Sequence, residues 1–246
     1  GILATLYRLG INYFTHGFRR IFQAFPHWTV FLMPVLGALC LVGILRLFRA
    51  QVQEYVPEII EASIRQSALR FKDGIVCLLT SLLTLSSGGS AGPEGPMAFA
   101  GAATGSLFGK VVGLDRRRAK VFLAAGTAAG IAAIFNAPIA GVLFALELIL
   151  LNDLTMSAVT PVILASVSAS TINYYYMGSH PTFVVPPFAF RDYLELFAYA
   201  FLGVLGGIAS VVFIRLMTAM RALFRRIASP SLRALAGALA VGILLI

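Results

Sequence analysis

Residues 86–105 read Ser-Ser-Gly-Gly-Ser-Ala-Gly-Pro-Glu-Gly-Pro-Met-Ala-Phe-Ala-Gly-Ala-Ala-Thr-Gly, a glycine-rich turn followed by small and apolar residues. Pro96 suits the first turn of a helix, where its missing N–H removes no hydrogen bond. The free amides of that turn and the positive end of the helix dipole favour an anion. Glu94 stands at the mouth of this helix, so we interpret its carboxylate as a gate that competes with an anion. The alternative is that Glu94 only caps the helix.

The chain as a whole is too apolar for a soluble domain. Of its 246 residues, 59% are hydrophobic and 12% are charged, and the mean hydropathy is +0.89. Since one membrane-spanning helix takes about 20 apolar residues, we predict an all-α polytopic membrane protein. Cys40 and Cys77 lie in apolar runs and are predicted to be buried, with no metal or redox role.

Short polar breaks divide the chain into apolar segments. The segments fall at about 2–15, 29–48, 74–87, 97–113, 121–151, 156–177, 193–218 and 232–246. The third is too short to span a bilayer alone, and the fifth is interrupted at Asn136-Ala137-Pro138. Short and broken apolar helices are typical of transporters and channels. The chain opens and closes in apolar stretches, which we interpret as truncation at both ends.

The basic residues indicate a membrane topology rather than a nucleic-acid partner. The formal net charge is +9, but Lys and Arg cluster at the ends of apolar runs. Loops with many Lys and Arg residues favour the cytoplasmic side of the membrane. Three loops are therefore predicted to lie on the cytoplasmic side. Their basic residues are Arg65, Arg70 and Lys72; Lys110, Arg116, Arg117, Arg118 and Lys120; and Arg221, Arg225, Arg226 and Arg233. Residues 178–190 have no Lys or Arg and are predicted to lie outside. Arg19 and Arg20 do not fit this topology.

A second stretch, residues 124–147, is rich in small side chains that let helices pack closely in lipid. Asn136, followed by Ala137 and Pro138, predicts the end of one helix and the start of another. That new start would be a second amide-bearing helix end within the membrane. A kinked packing helix is an equally good interpretation of Asn136, and a structural ion pair or a cap is the ordinary role for Glu147.

These motifs resemble one known family. Gly92-Pro93-Glu94-Gly95-Pro96 is similar to the GxEGP signature of the CLC chloride channels and proton/chloride antiporters. Residues 135–147, Phe-Asn-Ala-Pro-Ile-Ala-Gly-Val-Leu-Phe-Ala-Leu-Glu, resemble its next conserved stretch. The resemblance implies an inverted-repeat helical fold over 1–246, with the first repeat at about 1–178 and the start of the second at about 190–246. It further implies a bacterial-type homodimer in the cell (inner) membrane that transports chloride without a cofactor.

The resemblance also implies roles for single residues. Glu94 corresponds to the gating glutamate of the family. The backbone that binds the anion corresponds to Gly95, Pro96, Met97, Ala98 and Phe99. The motif and structural positions are Gly92, Pro93, Asn136, Pro138 and Glu147.

Several positions depart from the family pattern. Gln53-Glu54-Tyr55-Val56-Pro57 stands where the family has Gly-Ser-Gly-Ile-Pro, so the inner anion site is left unassigned. Leu148 stands where antiporters have a second glutamate, which favours a channel over a proton-coupled antiporter. Pro93 replaces a basic residue of the signature. The second-half anion motif and the pore tyrosine would fall beyond Ile246.

Two other classes of protein are alternatives. An intramembrane serine protease could use Ser90 as its nucleophile, but it needs a base. The three histidines, His16, His27 and His180, fall in loops or near helix ends rather than in a later membrane helix. A purely structural membrane scaffold explains the hydropathy but not a carboxylate placed between two Gly-Pro pairs.

Overall fold

The structure, a computed structural model, describes residues 1–23, 29, 31–48, 55–150, 155–178 and 193–244. The described residues form ten α-helices and no strand, which confirms the all-α prediction. The helices are α1 Ile2–Gln23, α2 Leu32–Phe48, α3 Tyr55–Arg65, α4 Phe71–Ser86, α5 Glu94–Val111, α6 Arg116–Phe135, α7 Pro138–Leu148, α8 Met156–Met177, α9 Glu195–Arg225 and α10 Pro230–Leu244. Among them, α6, α8 and α9 are long and apolar enough to cross a membrane.

The chain divides into two compact units. The first comprises Gly1–Thr182 and Ala238–Ile246, and it contains α1 to α8 with the end of α10. The second, residues 183–237, contains α9 and the start of α10, and no residue of α9 is buried. The predicted repeat boundaries near 178 and 190 stay a prediction.

The core of the first unit is built on the close packing of α5 against α6. A methyl group on Gly101 would overlap the carbonyl oxygen of Gly126, and one on Gly126 would overlap that of Gly101. Gly105 and Gly130 are equally close to the backbone of the opposite helix. Small residues spaced four apart let the two backbones approach, as expected for helices packed in lipid.

Replacing Gly126 by alanine is therefore expected to destabilise the protein by about 2 kcal/mol, because the added carbon has to displace backbone. Gly43 is the matched control, since nothing lies within 4 Å of a carbon added there. Gly43→Ala is expected to leave stability unchanged or raise it by about 0.5 kcal/mol. Thermal unfolding of the detergent-solubilised protein measures both, and equal unfolding temperatures for the two variants would contradict the packing argument.

The predicted break between two helices lies at Asn136. This residue ends α6 in the left-handed conformation, at φ 54°, and α7 begins at Pro138. Two serines of α8 hold the break in place. The Ser170 hydroxyl donates to Asn136 Oδ1 at 2.9 Å, and the Ser166 hydroxyl donates to the Pro138 carbonyl at 2.6 Å.

Polar side chains of α1 attach it to the core. Tyr7 shares a 2.7 Å hydrogen bond between its hydroxyl and that of Ser81 on α4. The Arg8 guanidinium donates to the carbonyl of Ile134 near the end of α6. A cation at a helix C-terminus is favourable because the carbonyls there carry partial negative charge.

Two sequence predictions need correction. Cys77 is buried as predicted, but Cys40 is exposed on α2, because an apolar run does not specify which of its faces meets the core. The helix α3 was absent from the predicted apolar segments, since Glu58, Glu61 and Arg65 interrupt its apolar residues. The predictions for Gln53, Glu54, His27, His180 and the segment 179–190 lie outside the described residues.

Candidate functional site

The candidate site is the N-terminus of α5, where the glycine-rich turn ends. Glu94 is the first residue of the helix, and Pro93 before it already has helical angles, φ −77° and ψ −12°. The Met97 amide donates to the Pro93 carbonyl at 3.1 Å, so it is not available to an anion. The amides of Glu94 and Gly95 precede it in the first turn, where an α-helix offers no acceptor within itself.

The helix becomes buried at its third residue, Pro96. Met97 is 2% exposed, and Ala98 and Phe99 are fully buried, whereas the Glu94 side chain is exposed. The carboxylate is therefore the exposed part of this helix end. The first turn of α5 is a rigid base for it, because buried side chains hold the following residues.

The two glycines that flank Glu94 provide space rather than unusual backbone angles. Neither has a positive φ. A methyl group on Gly92 would overlap the Glu94 carboxylate, so this carboxylate lies directly over the Gly92 backbone. On the other side, a carbon added to Gly95 would lie 3.1 Å from Cδ2 of Tyr55. The signature thus gives room to a carboxylate on one side and to an aromatic ring on the other.

Tyr55 is a site residue that sequence reasoning left unassigned. It is the first residue of α3, and its ring lies against Phe99 with 6.0 Å between the ring centroids. It therefore contacts the first turns of α5 at both Gly95 and Phe99. The contact joins residues 40 positions or more apart in the chain, so no local pattern indicates it.

A row of small polar side chains on α4 faces the same region. Cys77 donates a weak hydrogen bond from Sγ to the Pro96 carbonyl, at 3.7 Å. Thr80 donates to carbonyls of its own helix, and Ser81 is paired with Tyr7. All three α4 residues are buried. Their pattern in an otherwise apolar segment is a signal that sequence reasoning could have used.

The remaining predicted residues lie elsewhere in the fold. Asn136 and Pro138 are hydrogen bonded to α8 and hold the break between α6 and α7. Glu147 is exposed on α7 and, within the part of the chain that the structure describes, is in no ion pair. Leu148 packs against the core. Ser90 is exposed in the turn before α5, and His16 is exposed on α1.

Comparison with known proteins places the chain in a family. Residues 1–246 match the family described as the voltage-gated chloride channel. The chain belongs to this family, the CLC family. A putative chloride channel protein, ClcB-like, from Ralstonia nicotianae is 30% identical over 232 residues, which are 90% of this chain and 53% of that protein. The chain thus spans about half the length of this relative.

Two solved structures have the same fold. A CLC-type fluoride/proton antiporter matches with a TM-score of 0.80 and 23% identity, over 99% of this chain and 61% of the other. A slow cyanobacterial chloride/proton antiporter also gives 0.80, with 21% identity over 100% of this chain and 60% of the other. These matches confirm the predicted CLC-type helical fold.

Proposed function

We propose that this chain forms part of an anion pathway, through which the complete protein moves chloride or a similar anion across a membrane. The observation that carries the proposal is the position of Glu94. Its exposed carboxylate lies on the first turn of a helix that is buried from Pro96 to Ala100, and it lies over the backbone of Gly92. Membership of the CLC family supports transport rather than hydrolysis at Ser90 or a scaffold role.

The proposed gate uses competition between two negative charges. While ionised, the Glu94 carboxylate occupies the positive end of the α5 dipole, where the Glu94 and Gly95 amides lie. An arriving anion displaces it, or protonation removes its charge, and the site opens. Gly92 allows the movement, because a side chain there would overlap the carboxylate.

We further propose a channel rather than a proton-coupled antiporter, because Leu148 stands where the family's antiporters have a second glutamate. A leucine side chain cannot accept a proton. The alternative is a proton/chloride antiporter, and the two structures with the same fold, a fluoride/proton and a chloride/proton antiporter, support it. A homodimer in the cell (inner) membrane is part of the same proposal.

One experiment tests the function and separates the two mechanisms. Liposomes that contain the full-length protein are loaded with chloride, and chloride efflux and proton movement are recorded together. The proposal expects chloride efflux well above that of empty vesicles, with no proton movement against a proton gradient. Uphill proton movement driven by chloride would replace the channel with the antiporter, and the absence of efflux would favour a scaffold.

A further inference from the structure

A small cavity lies where the C-terminal ends of α3 and α5 meet the start of α6. Its volume is about 200 Å³, which is room for several water molecules or one tetrahedral anion. The polar and basic residues that line it are Gln66, Ser67, Ser106, Lys110, Arg116 and Lys120. The cavity therefore brings together two of the basic loops that are predicted from the sequence to lie on the cytoplasmic side of the membrane.

The charged side chains among the described residues that line this cavity are all basic. Three basic side chains line it, and no carboxylate is among its described lining residues. The nearest acids along the chain are directed at other arginines: Asp115 lies 3.6 Å from Arg118, and Glu61 lies 2.8 Å from Arg65. Like charges around one small space repel each other, and an anion bound between Lys110 and Arg116 would reduce that repulsion.

The neutral groups of the cavity are hydrogen-bond donors. The Ser106 side chain is buried, 4% exposed, and lines the cavity. Gln66 adopts a left-handed conformation, φ 51°, and the Ser67 amide returns to the Ala62 carbonyl at 3.0 Å, which turns the chain along the cavity wall. Arg116 begins α6, so the positive end of that helix dipole also lies at the wall.

We propose that this cavity binds a phosphate-bearing anion on the inside face of the membrane. Phosphate has several oxygens and more than one negative charge, which suits the two cations Lys110 and Arg116 and the neighbouring serine hydroxyls better than a single halide does. Both lipid headgroups and soluble phosphates carry this chemistry. A ligand held here would join the C-terminal ends of α3 and α5, the two helices that begin at Tyr55 and Glu94.

Isothermal titration calorimetry on the full-length protein in neutral detergent tests the proposal. The probes are inorganic phosphate and dihexanoyl phosphatidylglycerol, with dihexanoyl phosphatidylcholine as the zwitterionic control, at constant ionic strength in potassium gluconate. The variant Lys110→Gln/Arg116→Gln removes two lining charges. The matched control Arg117→Gln/Arg118→Gln removes two charges from the same loop, but these side chains line a different cavity.

We expect saturable binding of phosphate, phosphatidylglycerol or both. The affinity should fall about tenfold or more in the Lys110/Arg116 variant and about twofold at most in the control. Binding of phosphate alone identifies a soluble ligand, and binding of phosphatidylglycerol alone identifies a lipid. Equal losses in the two variants, or no saturable binding of either probe, would overturn the proposal. If the double variant does not fold, Lys110→Gln alone should still weaken binding severalfold. Since the readout is binding, it is independent of anion flux.

Discussion

Vesicles that contain the full-length protein with Glu94 replaced by glutamine are expected to pass chloride at a rate that no longer depends on pH. In the wild-type protein, acidification should increase the flux, because protonation removes the charge with which Glu94 competes for the helix end. Glutamine has the same shape without that charge, so the variant should behave at neutral pH as the wild type does in acid. We expect its flux near pH 7 to exceed the wild-type flux about tenfold, the effect of roughly 1.4 kcal/mol.

The measurement is chloride efflux across a series of pH values from neutral to acid. Glu147→Gln is the matched control, since Glu147 is also an exposed glutamate of the first unit but lies on α7. The control should keep the wild-type pH profile. A Glu94→Gln variant whose flux still rises on acidification would remove Glu94 from the gate and leave it a structural role at the helix end.

The sequence contained enough information to place this helix end. Pro96 has a fixed φ and suits the first turn of a helix, so a helix start next to Glu94 follows from the local sequence. At Asn136 the sequence left a break and a kinked helix as alternatives, and the structure has the break, because an asparagine tolerates the left-handed conformation and Pro138 suits a new first turn. In both places the residues act on their own backbone, so distant contacts are not needed to infer the structure.

The helix α3 shows where such inference ends. It has 11 residues, too few for a stable isolated helix in water. Its stability comes from Ile59, Ala62 and Ser63, which are buried in the fold, and the Ser63 hydroxyl donates to the distant Ile149 carbonyl at 3.0 Å. These are long-range contacts, and a sequence pattern of mixed charged and apolar residues does not specify them.

The same limit applied to the glycines of the signature. Their sequence context indicates a permissive backbone, yet Gly92 and Gly95 do not use positive φ. What they provide is space, for the Glu94 carboxylate and for the Tyr55 ring. The identity of those neighbours depends on how α3 packs against α5, which a single sequence does not reveal.

Replacing Tyr55 by alanine is expected to increase anion flux about fivefold while lowering stability by about 2 kcal/mol. The ring fills the space beside Gly95 and packs on Phe99, so its removal leaves a cavity at the first turns of α5. If the anion passes this helix end, that cavity widens its path. Tyr55→Phe keeps the ring and should therefore keep both the flux and most of the stability.

Chloride efflux at fixed pH, corrected for the amount of folded protein, separates the two effects of the Tyr55→Ala variant. Phe108→Ala is the control for loss of an aromatic ring, because Phe108 lies on α5, the helix that Tyr55 contacts, but is 59% exposed. Its flux should equal that of the wild type. A Tyr55→Ala variant with reduced stability and unchanged flux would place Tyr55 in the packing of α3 against α5 only, and the path of the anion would then lie on another side of Glu94.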